Sequence, residues 1–154
     1  MNNRALLNEC LAEISSRSGA SLGQLNEAGV IGFNYKDTLP IALEAAPDQP
    51  IACVYADFGP VSLLSRDRFC YKLLVANFLG RDTAGASFAV NEAERTLVLW
   101  CRFSLEGLDA TKLEIVLNDF LATADKWSQR LIAAAAEVLA AAAREEPEPF
   151  GLRI

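Results

Sequence analysis

Apolar residues recur along this chain first at helical and then at strand spacing, and each change of period marks an element. From Asn3 to about Ser18, Leu7, Leu11, Ile14 and Ser18 form one stripe with Leu6 and Cys10 beside it, and Gly19 follows as a stop. Between Leu22 and Phe58 the pattern becomes alternation. Ile31, Phe33 and Tyr35 come first, then Leu39, Ile41 and Leu43, then either Ile51, Cys53 and Tyr55 or the opposite set Ala52, Val54 and Ala56. The separators "NEAG", "KDT" and "APDQP" are rich in turn residues, so three antiparallel strands are predicted.

A second helix is predicted from about Ser65, as cap, to Leu79, with Gly80 after it. Its apolar positions Phe69, Cys70, Leu73, Leu74, Val75, Ala76, Phe78 and Leu79 exceed the single stripe of a surface helix. Ala86, Phe88 and Val90 then alternate into the turn "NEAER". The returning strand "TLVLWCRF" puts Leu97, Leu99, Cys101 and Phe103 on one face and Val98 and Trp100 on the other. A strand that is apolar on both faces is covered on both.

Asp109 caps the third helix, along which Leu113, Leu117, Phe120, Ala124, Trp127 and Leu131 follow at alternating steps of four and three. Its continuation "LIAAAAEVLAAAAREE" combines high helix propensity with little side-chain volume, so the helix is expected to run past the body of the domain. The two prolines of "EEPEPFGLRI" break it. The order α-β-β-β-α-β-β-α defines an α+β fold with an antiparallel sheet packed against helices. One domain over residues 1–143 and a flexible, acidic, proline-containing tail over 144–154 are expected.

Length and composition sharpen this picture. A hydrophobic fraction of 52% in 154 residues suits a single core, while 22% charged residues and no apolar run of about 18 residues argue against membrane insertion. A net charge of −6 argues against a nucleic-acid partner, which would require clustered Lys and Arg. Cys10, Cys53, Cys70 and Cys101 lie far apart inside apolar segments, and read as small buried hydrophobes rather than disulfides. Without any histidine there is no zinc set and no Ser-His or Cys-His pair, so neither a metal nor a catalytic residue is assigned.

Two fragments imitate nucleotide chemistry and fail on context. Asp57-Phe58-Gly59 matches the magnesium-holding triplet of protein kinases, but the chain is too short for that fold and reads there as a strand-ending turn. Gly80 and Gly85 have phosphate-loop spacing, yet Ala86 stands where the lysine belongs and a helix precedes the loop where a strand should. No cofactor is expected. The apolar surplus of the second helix and last strand is most simply covered by another copy of the chain; the alternative is that the alanine-rich end of the third helix covers it within a monomer.

In this order and in an acidic chain of this size, several segments resemble a family, the class I type III secretion chaperones of the Tir-chaperone group. The matching segments are "ALLNECLAEIS", "ACVYADFGP", "RFCYKLLVANF" with Asn77 near the helix end, "GASFAVNEAERTLVLWCRF" and "LEGLDATKLEIVLNDFLATADKWSQRL". The resemblance implies a bacterial, cytoplasmic, non-enzymatic homodimer whose subunit contact involves Leu73, Leu74, Phe78, Val98 and Trp100. It also implies apolar grooves on the first helix and first three strands that hold the N-terminal segment of an effector in extended form, keeping it soluble and export-competent. Leu7, Leu11, Ile14, Phe33, Tyr35, Ile41, Leu43 and Tyr55 are the candidate effector contacts, although core packing would account for each equally well. A dimeric scaffold of the same fold that binds a folded partner is the alternative.

Overall fold

A computed structural model of the protein describes residues 2–60 and 66–144. Its elements are α1 (Asn3–Ser18), β1 (Val30–Tyr35), β2 (Leu39–Ala45), β3 (Ile51–Pro60), α2 (Arg66–Asn77), a short 3-10 turn (Phe78–Gly80), β4 (Ser87–Asn91), β5 (Thr96–Ser104) and α3 (Ala110–Arg144). The predicted order and all three helices are present; the expected Ser65 cap and the tail from 145 onward lie outside the described residues.

Local chemistry fixes the helix ends. The Asn2 side chain accepts a hydrogen bond from the Ala5 N–H and opens α1, and Gly19, at φ +72°, closes it by donating to the Ser15 carbonyl. At α3 the Asp109 carboxylate accepts from the Lys112 N–H at 2.8 Å, as expected of a cap. That hydrogen bond holds the Asp109 carboxyl below its ordinary range.

The five strands pair antiparallel in the order β1-β2-β3-β5-β4. The register puts Phe33 beside Ile41, Ile41 beside Ala56, and Ala56 beside Leu99, so these residues share the inner face. Leu39, Ile41, Leu43, Ala52, Val54, Ala56, Leu97 and Leu99 are buried there against α1 and α3. Phe88 of β4 meets the Trp127 ring of α3 edge-on at 4.8 Å between centroids, carrying this core along the inner face to the β4 edge of the sheet.

The opposite, outer face carries Cys53, Tyr55, Val98 and Trp100, with Tyr55 directly across from Trp100. The Asp57-Phe58-Gly59 stretch does not end the strand. It is an irregularity inside β3, where Gly59 adopts φ +83° and the register with β5 shifts between Asp57 and Pro60. Asp57 fastens it, accepting from the Gly59 N–H at 2.7 Å and the Thr96 hydroxyl at 2.9 Å.

α2 lies at the β4 end of the sheet. Leu73 and Ala76 are buried against the core, and the Asn77 amide pairs with the backbone of Phe88 much as a neighbouring strand would: its oxygen accepts from the Phe88 N–H at 2.6 Å and its NH2 donates to the Phe88 carbonyl at 3.1 Å. The following loop is clamped to α3. Asp82 receives hydrogen bonds from Lys126 at 3.0 Å and Arg130 at 2.7 Å, and its carbonyl accepts from the Trp127 indole N–H at 2.9 Å.

Candidate functional site

Each edge strand is tied at one residue by an asparagine: Asn77 pairs with Phe88 of β4, and Asn26 pairs with Val30 of β1, its backbone N–H donating to the Val30 carbonyl at 2.8 Å and its side-chain oxygen accepting from the Val30 N–H at 3.0 Å. Beyond Val30, β1 has no strand on its outer side among the described residues. Beside β1 lies a groove of about 190 Å³ between α1, the first two strands and α3. Leu11 and Ile14 line it from α1, Phe33 from β1 and Leu43 from β2, and Leu117 and Leu121 close it from α3. Ser18, Glu114 and Asn118 provide its polar fringe.

Four of the eight residues expected to contact an effector therefore line one recess. The others do not. Leu7 and Ile41 do not line the groove and are enclosed by the core at 0% and 2% exposure, while Leu11 and Leu43, at 2% and 1%, are core residues as well as groove lining. Tyr35 is half-buried at the end of β1 on the groove's side of the sheet, and the neighbouring Lys36 ammonium lies 5.4 Å from the centre of its ring. Tyr55 faces the opposite side of the sheet and cannot join the same surface. Burial raises its phenol pKa, with the Glu44 and Asp57 carboxylates adding to the effect.

The hairpin that carries the open edge is held to α3 by Lys36, whose ammonium lies 2.7 Å from the Asp125 carboxylate. Lys36 and Asp37 both adopt positive φ, the geometry of a tight hairpin turn that glycine or asparagine more often supplies. The ion pair is exposed, so it orients the hairpin more than it stabilises the fold.

The residues expected at a subunit contact divide sharply. Leu74 and Phe78 are 68% and 71% exposed, Trp100 is 37% exposed and Val98 is half-buried, while Leu73 is only 7% exposed and belongs to the core. Within α2 the exposed side chains Tyr71, Leu74 and Val75 share one face, and Phe78 and Leu79, exposed in the 3-10 turn that follows, continue the apolar surface although Leu79 leaves helical geometry at φ +58°. This apolar surface is turned toward solvent. Tyr71 was legible as helix but not as part of this surface, because the outward side emerges only once Leu73 and Ala76 are placed inside.

The cysteines need one correction. Cys10 is buried and Cys53 and Cys101 are half-buried, with burial raising all three thiol pKa values, but Cys70 lies exposed on α2. Its helical position is rotated away from Leu73 and Ala76, which take the core side. Raised thiol pKa values disfavour the thiolate and hence nucleophilic chemistry at those three positions. Among the described residues no cluster of potential ligands is arranged to hold a metal, and no helix is long and apolar enough to cross a membrane.

An antiparallel sheet backed by helices, an apolar recess beside its β1 edge and an exposed apolar surface on α2 are the features that this fold presents to solvent. Residues 9–128 match the sequence model of the Tir chaperone protein (CesT) family, so the chain belongs to that family of type III secretion chaperones. No curated protein sequence matches it.

Solved structures share its fold. One is the ExsC–ExsE complex, whose matching chain is 21% identical with a TM-score of 0.72 over 84% of this chain and 96% of that one. Another, the HopA1–SchA chaperone–effector complex, matches at 13% identity and a TM-score of 0.68 over 82% of this chain and 95% of that one. The heterodimeric ExoU–SpcU complex from the type III secretion system of Pseudomonas aeruginosa matches at 19% identity and a TM-score of 0.61, covering 83% and 96%.

Proposed function

We propose that this protein is a cytoplasmic, non-enzymatic chaperone that works as a homodimer, binds the N-terminal segment of a secreted effector in extended form and keeps it soluble and export-competent. The observation that carries this reading is the open β1 edge beside the groove of Leu11, Ile14, Phe33 and Leu43. An extended segment pairing with β1 gains main-chain hydrogen bonds, and its side chains on the inner face fall toward the groove. Ordering such a segment costs on the order of 2–5 kcal/mol, which keeps the complex reversible.

Self-association rests on the exposed apolar surface of α2 and the turn after it, together with Val98 and Trp100 on the outer face of β5. Apolar side chains this exposed are rare on a subunit that stays alone. The family membership and the partner-bound state of the structural relatives support the same reading.

Co-expression with secreted proteins encoded nearby, followed by light scattering and limited proteolysis, tests it. A chaperone dimer that protects tens of residues at the N-terminus of one client is the expected result. Recovery of complexes only with intact folded partners, and no protected segment, would refute it in favour of a scaffold.

A further inference from the structure

β1 carries a glycine near its centre that nothing within the subunit requires. Gly32 does not adopt a positive φ, and a methyl built on it would meet only the Ile41 carbonyl oxygen, at 3.7 Å, an ordinary contact. Glycine inside a strand costs conformational entropy and packs nothing. Where neither a turn nor crowding calls for it, it marks a place that a ligand or another backbone approaches closely.

The register shows what surrounds it. Gly32 pairs with Ala42, Ala42 with Tyr55 and Tyr55 with Trp100, one row across the outer face that steps from bare backbone to a methyl to two aromatic rings. Val30 and Glu44 flank the Gly32–Ala42 pair on one side, Asn34 and Pro40 on the other. A shallow depression is left at the margin of the sheet, with Gly32 exposed and Ala42 half-buried. Trp100, at the far end of the row, belongs to the subunit contact proposed above, and Gly32 lies three strands from it, about 14 Å at the usual strand spacing.

Gly32 is also where an added strand pairs directly. The backbone groups of Ile31, Phe33 and Tyr35 point at β2 and those of Val30 are taken by Asn26, which leaves Gly32 and Asn34 with outward N–H and carbonyl groups. In antiparallel addition the residue opposite Gly32 exchanges both hydrogen bonds with it, and its side chain projects onto the outer face beside the depression. A ring there leans over the bare Gly32 backbone toward the Ala42 methyl, about 5 Å further on. An aromatic set across from an edge glycine restores the packing that the glycine lacks.

We propose that the client segment held at β1 carries an aromatic residue opposite Gly32, seated on Gly32 and Ala42 on the outer face of the sheet. The client is then gripped on both faces of the added strand, by apolar side chains in the inner groove and by one ring outside it. This rests on the strand addition proposed above and specifies the chemistry of its ligand.

Fluorescein-labelled peptides of about nine residues test it, with leucine at alternate positions, threonine between them and Gly-Ser flanks; in one set each threonine in turn becomes phenylalanine. Anisotropy is read with wild type, Gly32→Val and Phe33→Asp, and circular dichroism checks that the variants fold. One phenylalanine position is expected to tighten binding about five-fold over the all-threonine parent on wild type. Gly32→Val leaves the outward backbone groups in place, so it is expected to cancel that gain, to hold the parent within about two-fold, and to raise the Tm of the free protein by about 2–4 °C. Phe33→Asp is expected to abolish binding of every peptide. Absence of parent binding, or parent binding that survives Phe33→Asp, would overturn the strand-addition reading and this proposal with it. Parent binding lost in Phe33→Asp, but with no phenylalanine position preferred or with a preference that Gly32→Val leaves intact, would overturn this proposal alone. So would a lower Tm or a weaker dimer in Gly32→Val, which would assign the glycine to the subunit's own fold or contact.

Discussion

Leu73 and Leu74 are neighbours in sequence with the same side chain, and the structure assigns them opposite fates. Leu73 is 7% exposed, enclosed by its own subunit; Leu74 is 68% exposed on the outward stripe of α2. Leu73→Ala leaves a cavity in the core and should cost about 2–5 kcal/mol of folding free energy. Leu74→Ala removes about three carbons whose burial awaits the second subunit. At roughly 0.8 kcal/mol per buried CH2, and with about two-thirds of the side chain still to be covered, each subunit loses about 1.5 kcal/mol. Two-fold symmetry repeats the loss, so the dimer should weaken by about 3 kcal/mol, or roughly a hundred-fold in Kd.

Sedimentation velocity over a range of concentrations measures the second effect, and urea unfolding of the dissociated monomer measures the first. Leu73→Ala should shift the urea midpoint while the folded fraction still associates; Leu74→Ala should do the reverse. The assignment of α2's faces is wrong if Leu74→Ala destabilises the monomer as much as Leu73→Ala. The dimer reading is wrong if wild-type protein shows no concentration-dependent association.

Other perturbations probe the supports of these surfaces. Asn77→Ala strands the Phe88 N–H and carbonyl on the β4 edge and should cost about 1–3 kcal/mol in urea unfolding, with faster hydrogen exchange at the Phe88 amide. Gly80→Ala places a methyl 2.7 Å from the Gly85 Cα at a φ of +60°, so a loss of about 2 kcal/mol and a Tm lower by roughly 5 °C are expected in calorimetry. Hydrogen bonds from Lys126 and then Arg130 hold the Asp82 carboxyl below its ordinary range. A lowered folded-state pKa stabilises above the unfolded value, near 3.9, and that contribution disappears as pH falls through the lower folded value. The stability gap between wild type and Asp82→Asn should thus be small at pH 7, because the group is exposed, and vanish in acid unfolding series.

Periodicity was enough to find the elements because it reports which residues share a face: the Leu7-Leu11-Ile14 stripe and the alternation at Ile31, Phe33 and Tyr35 each read directly as one buried side. It does not report which side faces outward. Tyr55 alternates as plausibly as Val54, and only the pairing of β3 with β2 and β5 sends Val54 inward and Tyr55 to the far face beside Trp100. The same ambiguity applies to Leu7, Leu11, Ile41 and Leu43, all of which are buried in the core although only Leu11 and Leu43 also line the groove. Excess apolarity in α2 did signal an unpartnered surface, since one sheet edge and one helix could not cover Leu73, Leu74, Val75 and Phe78 together.

The most direct test of the account is hydrogen–deuterium exchange of the protein alone and with the N-terminal segment of a secreted effector. Strand addition along β1 beyond Val30 predicts new protection at the outward-facing amides of Gly32 and Asn34, since Ile31, Phe33 and Tyr35 already pair with β2, together with protection of the client segment itself, and no change along β4. Binding that leaves Gly32 and Asn34 unchanged, or that protects β4 instead, would contradict it.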